Sequence, residues 1–150
     1  MLRTRGHAPV LERLVLPFTR VGEHGALWLA GSALGAVLDR PRRAVYLRAI
    51  RVVCIGYLIN IAMKHLVRRP RPVLEDLPAL SSTVSGLSYP SAHSTTSFAA
   101  ARVLSGGLPA PPLYACAAAM ALSRVYAGVH YPSDIVAGAL LGTSLAEVLP

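Results

Sequence analysis

Charged side chains are scarce in this sequence: 15% of its 150 residues are Asp, Glu, Lys or Arg, whereas 53% are hydrophobic. A soluble domain of this length exposes much of its surface and needs more polar residues to cover it. The mean hydropathy of +0.49 agrees with that shortage. The composition therefore excludes an ordinary soluble protein and indicates a single domain that lies in a membrane.

Acidic residues and cysteines are also few. The sequence has seven Asp and Glu and 15 Lys and Arg, which gives a formal charge of +8. In a soluble protein this excess suggests nucleic acid, but here the arginines flank apolar runs and suit phospholipid headgroups or a phosphorylated substrate. Cys54 and Cys116 lie inside apolar runs without a C-x-x-C spacing, which indicates packing and not a metal site. We expect no nucleic-acid partner.

Strand-type alternation is absent, and so is the pattern of a cleaved signal peptide. Residues 8–21 place apolar side chains at helical spacing opposite charged ones, too short and too charged to span a bilayer, which predicts an interfacial amphipathic helix. Five apolar segments follow and approach the roughly 20 residues of a full span: 24–38, 45–63, 92–106, 112–128 and 133–149. Small residues are dense in the last three, which favours close helix packing in lipid. The predicted fold is an all-α integral membrane bundle of about five spans plus the N-terminal helix.

Polar motifs interrupt the apolar runs at two similar places, "SYPSAHS" (88–94) and "SRVYAGVHYPSD" (123–134). Consecutive spans run antiparallel, so the ends of the second and fourth spans share a membrane face with the starts of the third and fifth. That face collects Lys64, Arg71, Ser91, His93, Arg124, His130 and Asp134. In each motif we expect the proline in the first helical turn and a Ser or Asp cap, so that two helix N-termini offer N–H groups to one anion. With the cations, this pattern predicts a phosphate site.

Three motifs in order carry a family resemblance. "KHLVRRPRP" (64–72) matches K-x6-R-P, "PSAH" (90–93) matches P-S-G-H with one departure, and "SRVYAGVHYPSD" matches S-R-x5-H-x3-D in full. Over roughly residues 45–149 the chain resembles the type 2 phosphatidic acid phosphatase superfamily. The departure is Ala92 where the family usually has glycine, and we expect a helical or bridging φ there, with the amide still able to bind an anion.

The resemblance implies a metal-independent lipid phosphatase that needs no cofactor and works through a phosphohistidine. By that resemblance His130 is the nucleophile, Asp134 orients it, and His93 is the general acid and then the general base. The implied phosphate ligands are Lys64, Arg71, Ser91, the amide of Ala92, and Arg124. Fixed cations suit this chemistry, because phosphoryl transfer spreads negative charge over the equatorial oxygens.

The expected substrate is a phosphate monoester or diphosphate on a polyprenyl or glycerolipid tail. The Ala- and Arg-rich composition looks similar to that of small actinobacterial family members, some of which are associated with decaprenyl-phosphoryl-phosphoribose in cell-wall synthesis. By that analogy alone, this lipid is the first candidate. Undecaprenyl diphosphate and phosphatidylglycerophosphate are alternatives, and a phospholipid-binding protein without catalysis is the rival of another class. A metal cluster of His93, His130 and Asp134 is disfavoured, because the nearby cations would repel a divalent ion, and a haloperoxidase would be larger and soluble.

The expected location is the plasma membrane, with several spans and membrane lipids as partners; the oligomeric state is not predicted. Arg40, Arg42 and Arg43 favour a cytoplasmic first loop and hence an extracytoplasmic site, whereas the N-terminal arginines and the basic cluster at 64–71 favour the opposite orientation. The habit of the family decides for an extracytoplasmic site. The remaining polar residues have simpler interpretations. We expect solvated or snorkelling side chains at His7, His24, Arg3, Arg5, Arg40, Arg42, Arg43, Arg68 and Arg69. Asn60 and His65 either support the site, pack, or lie at the surface; Arg102 reaches the opposite interface, and Ser123 packs.

Overall fold

The structure is a computed structural model that describes residues 8–73, 79–81, 83 and 85–150. Six α-helices account for most of them: α1 (Pro9–Val21), α2 (Ala26–Leu38), α3 (Arg43–Val67), α4 (Ala92–Leu104), α5 (Ala110–Tyr126) and α6 (Pro132–Val148). Short 3₁₀ turns at Glu23–Gly25 and Arg40–Arg42 join α1 to α2 and α2 to α3. The described ranges hold no strand beyond an isolated bridge between Pro70 and Leu87. The all-α prediction is confirmed; His7, Arg3 and Arg5 lie outside the described residues.

Prolines and left-handed residues explain where the helices begin and end. Pro9 and Pro132 occupy first-turn positions, where a missing N–H costs no helical hydrogen bond. The left-handed conformation of Arg68 (φ 53°) terminates α3. In the described part of the chain, one helical stretch is long and apolar enough by itself to cross a bilayer: Arg40–Val67, with a mean hydropathy of 1.6.

Helix α4 is the centre of the bundle and packs against α3, α5 and α6. Ten of its 13 residues are buried, many of them Ala, Ser or Thr. Gly138 and Gly142 of α6 let the two backbones approach closely: a Cβ at Gly142 would overlap the Thr95 carbonyl oxygen and lie 2.9 Å from Ala99 N. Small residues on both sides therefore hold α4 and α6 together along their length.

Polar groups are concentrated inside the bundle, while large apolar side chains face outward. Asn60, Thr95 and Asp134 are fully buried, whereas Leu34, Leu58 and Leu140 are 60–65% exposed. A water-soluble fold has the opposite arrangement. Large apolar side chains therefore lie on the outer surface, while the interior combines these buried polar groups with an apolar core that includes Trp28, Val52 and Val53.

Candidate active site

A cavity of about 340 Å³ lies where α3 and α5 end and α4 and α6 begin. Its lining residues are Glu23, His24, Tyr57, Asn60, Ile61, Lys64, His65, Arg71, Thr83, Ser85, Ala92, His93, Arg124 and His130. Six of the eight site residues predicted from the sequence are in this lining. The other two, Ser91 and Asp134, are fully buried behind it.

His130 precedes α6 and sits between a carboxylate and a guanidinium. Its Nδ1 is 3.3 Å from Asp134 Oδ2, and its Nε2 is 3.3 Å from Arg71 Nη1. The carboxylate can only accept a hydrogen bond and the guanidinium can only donate one, so this pairing assigns the imidazole proton to Nδ1. The lone pair of Nε2 then lies on the side of Arg71, which also lines the cavity.

Two further contacts hold Asp134 in place. Its Oδ2 accepts a hydrogen bond from Tyr131 N–H at 2.9 Å, which closes a capping interaction at the start of α6. Its Oδ1 accepts one from Arg69 Nη1 at 3.0 Å, and the Arg69 guanidinium also stacks 4.0 Å from the centre of the Tyr131 ring. The expectation of a solvated Arg69 is therefore wrong: the loop after α3 folds back onto the start of α6.

The N-terminus of α4 supplies His93 and the Ala92 amide. His93 Nε2 is 3.0 Å from the carbonyl oxygen of Thr19, in α1. Ala92 begins the helix and is absent from the positive-φ residues of the described chain, as expected for an alanine at the glycine position. Ser91 is the N-cap, with its Oγ 3.5 Å from Ser94 N. Its contact with phosphate stays a prediction.

The proline prediction is confirmed for one motif and wrong for the other. Pro132 lies in the first turn of α6. Pro90 precedes the N-cap of α4, and its carbonyl oxygen accepts hydrogen bonds from Lys64 Nζ at 2.9 Å and Asn60 Nδ2 at 3.3 Å. Pro90 therefore anchors the entering loop to α3 and does not start the helix.

Lys64 uses all three of its protons on that loop. Besides Pro90 O, its Nζ donates to Leu87 O at 3.3 Å and Ser88 O at 3.2 Å. Its ammonium group therefore fixes the backbone that leads into Ser91 and His93, while its charge lies at the cavity wall. Asn60 has the same supporting role, because it also donates to Thr95 Oγ1 at 2.9 Å.

Arg124, near the end of α5, is 3% exposed. Its Nη1 donates to Thr19 Oγ1 at 2.8 Å, and its Nε has no hydrogen-bond partner among the described residues. A buried guanidinium with an unpaired N–H is costly unless an anion completes it. Arg124, one of the predicted phosphate ligands, thus lines the cavity and has a buried N–H group without a partner among the described residues.

The electrostatics of the cavity favour a neutral His130. Burial lowers the pKa of His130 to about 4, with the hydrogen bond to Asp134 opposing the shift and the positive charge of Arg71 adding to it. Burial likewise lowers the pKa of Arg71. A neutral imidazole with its proton on Nδ1 and its Nε2 lone pair among cations is suited to attack an anionic phosphorus centre.

Three residues at the site were missed or misjudged from the sequence. Thr19 looked like one polar position in an amphipathic helix, but it is fully buried. His24 was expected to be solvated; it is exposed, yet it lines the cavity, and its Nδ1 is 2.6 Å from Tyr57 Oη. Glu23 lines the same rim. A stretch of Gly, Glu, His and Gly at 22–25 was the available signal of a tight, non-helical turn.

The remaining polar residues lie away from the cavity or at its edge. Arg102 pairs with Glu147 at 2.6 Å near the opposite end of the bundle, and the exposed Arg42 pairs with Asp39 at 2.9 Å. His65 is an exposed lining residue. Ser123 does more than pack, because its Oγ is hydrogen-bonded to Thr19 Oγ1 at 3.0 Å. Among the described residues there is no group of three or more His, Cys, Asp or Glu arranged to hold a metal ion.

Comparison with known proteins identifies the family to which the chain belongs. The model of the PAP2 superfamily matches residues 45–150, so the chain belongs to that superfamily and the resemblance of its three motifs is confirmed. The chain is 41% identical over 133 residues to decaprenylphosphoryl-5-phosphoribose phosphatase from Mycobacterium tuberculosis, covering 85% of this chain and 72% of the relative.

Two solved structures share the fold. The crystal structure of Aquifex aeolicus LpxE superimposes with a TM-score of 0.84 and 25% identity, covering 98% of this chain and 88% of that one. The transmembrane PAP2-type phosphatidylglycerolphosphate phosphatase from Bacillus subtilis gives 0.76 and 25%, with coverages of 95% and 76%. The structural neighbours are thus PAP2 lipid phosphatases, and the named relatives support the prediction of a phosphatase.

Proposed function

We propose that this protein hydrolyses a phosphate ester of a membrane lipid through a covalent phosphohistidine at His130. The observation that carries the proposal is the grouping of His130, His93, Arg71 and Arg124 around one cavity of about 340 Å³. These residues come from four separate parts of the chain. A tetrahedral anion in that cavity meets a nucleophile, an acid–base group and fixed cations together.

In the first step, His130 Nε2 bonds to phosphorus as the bond from phosphorus to the lipid oxygen breaks. His93 gives a proton to the departing lipid oxygen. In the second step, His93 takes a proton from water, the water oxygen bonds to phosphorus, and the bond from phosphorus to Nε2 breaks. The balance is one water consumed, with the lipid alcohol and phosphate released and both histidines restored.

Asp134 keeps the proton of His130 on Nδ1 and stabilises the positive charge that grows on the ring as Nε2 becomes bonded. Arg71, Arg124 and the Ala92 amide hold the phosphoryl oxygens, with Lys64 adding charge and Ser91 completing the start of α4. The unpaired Nε of the buried Arg124 supports this assignment, because a bound phosphate oxygen is a suitable acceptor for it.

For the substrate we propose decaprenyl-phosphoryl-phosphoribose, on the basis of the 41% identity to the mycobacterial phosphatase of that name. The apolar outer surface supports a location in the plasma membrane, with five spans formed by α2 to α6 and α1 at the interface. The exposed Val10 and Leu14 give α1 an apolar side for lipid. We place the cavity on the extracytoplasmic side.

The test is phosphate release by the detergent-solubilised protein from decaprenyl-phosphoryl-phosphoribose, compared with undecaprenyl diphosphate, phosphatidylglycerophosphate and short-chain phosphatidate, in EDTA. We expect release in EDTA, abolished in His130→Ala, and a trapped protein phosphate that is labile in acid and stable in base. Binding of these lipids without release would favour a non-catalytic lipid-binding protein. Release that EDTA abolishes would refute the metal-independent mechanism.

A further inference from the structure

Thr19 is a fully buried residue near the end of α1, a helix whose sequence otherwise indicates an exposed, interfacial position. Its hydroxyl accepts a hydrogen bond from Arg124 Nη1 at 2.8 Å. Its carbonyl oxygen is 3.0 Å from His93 Nε2. One residue thus contacts both a predicted phosphate ligand and the predicted acid–base histidine.

The contact with Arg124 determines where the guanidinium points. Among the described residues, Thr19 Oγ1 is its hydrogen-bond acceptor, and Ser123 Oγ braces that hydroxyl from the other side at 3.0 Å. The arginine side chain has many rotamers, so a single buried acceptor selects one of them. The N–H groups that Thr19 leaves unused remain available to an anion.

The contact with His93 determines which nitrogen carries a proton. A carbonyl oxygen only accepts hydrogen bonds, so Nε2 must donate and stay protonated. Nδ1 is then the nitrogen that gains and loses a proton during turnover. Because the backbone carbonyl of residue 19 makes this contact, a substitution of the Thr19 side chain leaves the tautomer of His93 unchanged.

The close approach of α1 to the site depends on Gly22. A Cβ at Gly22 would lie 2.9 Å from His93 Cδ2 and 2.8 Å from Met120 Cε. Both Thr19 and Gly22 precede residue 45, where the match to the family model begins. The last turn of α1 is therefore fitted against the site although it lies outside the family segment.

We infer that Thr19 is a positioning residue: its hydroxyl orients Arg124 and its carbonyl holds His93, so that α1 completes the active site. The inference rests on the proposed function insofar as Arg124 binds the phosphoryl group. It predicts that a change confined to the hydroxyl of Thr19 weakens anion binding and turnover through Arg124.

The test compares Thr19→Val, which keeps the shape and removes the hydroxyl, with Thr19→Ser, which keeps the hydroxyl. Thr143→Val, the same substitution in the second half of α6, is the matched control. Because hydrogen bonds to charged groups are the stronger ones, we expect Thr19→Val to lower kcat/KM about tenfold, with Thr19→Ser near wild type. Combined with Arg124→Lys, Thr19→Val should add little further loss, since both act on one interaction.

Orthovanadate affinity, measured by calorimetry, separates this inference from the proposed hydrolysis. About tenfold weaker vanadate binding by Thr19→Val, rescued in Thr19→Ser, supports the inference even if no lipid tested is hydrolysed. Unchanged vanadate affinity and turnover in a folded Thr19→Val overturn it. So does a loss that Thr19→Ser fails to rescue, or full additivity with Arg124→Lys, because a merely structural role predicts both.

Discussion

Replacing Asp134 by Asn tests the proposed orientation of His130 with an isosteric change. Asp134 is fully buried, its Oδ2 accepts from Tyr131 N–H at 2.9 Å, and the same oxygen is 3.3 Å from His130 Nδ1. Its Oδ1 accepts from Arg69 Nη1 at 3.0 Å. An asparagine has one acceptor oxygen, so it satisfies one of these two sides and presents an NH₂ group to the other.

The structure favours one orientation of the amide. With its oxygen at the Oδ2 position, the amide keeps both the Tyr131 and the His130 contacts. Its NH₂ then faces Arg69, whose side chain is 35% exposed, so that water can replace the lost contact. The reverse orientation points NH₂ at the fixed backbone N–H of Tyr131. The variant should therefore keep the proton of His130 on Nδ1 and lose the negative charge alone.

The expected cost follows from that charge. Hydrogen bonds to charged groups contribute about 1.5–3 kcal/mol. The upper end applies, because positive charge grows on the imidazole as it bonds to phosphorus, and about 3 kcal/mol corresponds to roughly a 10²-fold fall in kcat. A wrong tautomer would cost more, on the order of 10⁴-fold in the serine-protease triad.

The assay is kcat for phosphate release at saturating lipid, with Asp39→Asn as the matched control, since Asp39 pairs with Arg42 away from the cavity. We expect the control within about twofold of wild type, because an exposed ion pair contributes little. Activity of Asp134→Asn within threefold of wild type would refute the stabilising role of the Asp134 charge. A loss near 10⁴-fold would refute the retained tautomer.

Two further predictions concern pH and packing. Neutral His130 is the reactive form, and burial lowers its pKa to about 4. A plot of kcat/KM against pH should therefore fall as the pH drops through about 4, and not through 6.5. A fall at pH 6.5 that coincides with the loss of phosphorylation at His130 would contradict this prediction. Gly142→Ala should destabilise the fold by about 1–3 kcal/mol, because its Cβ would overlap the carbonyl oxygen of Thr95. The control Gly31→Ala, whose Cβ would have nothing within 4 Å, should be neutral or stabilising. Thermal melts of the two variants check this prediction, and equal melting temperatures would refute it.

Much of the helical framework was accessible from the sequence, because apolar runs in a small membrane-type domain have few alternatives to helices. All six predicted segments are helical, with bounds within four residues of those in the structure. The prediction that the site residues share one membrane face also required no knowledge of contacts. Consecutive helices run antiparallel, and this alone puts the end of α3 beside the start of α4. The periodicity of the apolar residues and the alternating direction of consecutive helices were sufficient for these two predictions.

The supporting contacts of the site were not accessible, because they join segments with no shared local pattern. Nothing in the sequence around Thr19 marks it as the residue that reaches Arg124, 105 positions away. In the sequence, Arg69 is indistinguishable from other interfacial arginines, and only the path of the loop brings it to Asp134. Lys64 was read as a phosphate ligand from its motif, while its three hydrogen bonds to the 87–90 backbone depend on the path of a loop that composition does not determine.

The glycine contacts between α4 and α6 have a consequence for the separation of the two histidines. Where Gly138 and Gly142 meet the α4 backbone, the spacing of the two helix starts is set by main-chain atoms. His93 lies in the first turn of α4 and His130 just before α6. A bulkier residue at either glycine would therefore move the two helix starts apart, and with them the two imidazoles.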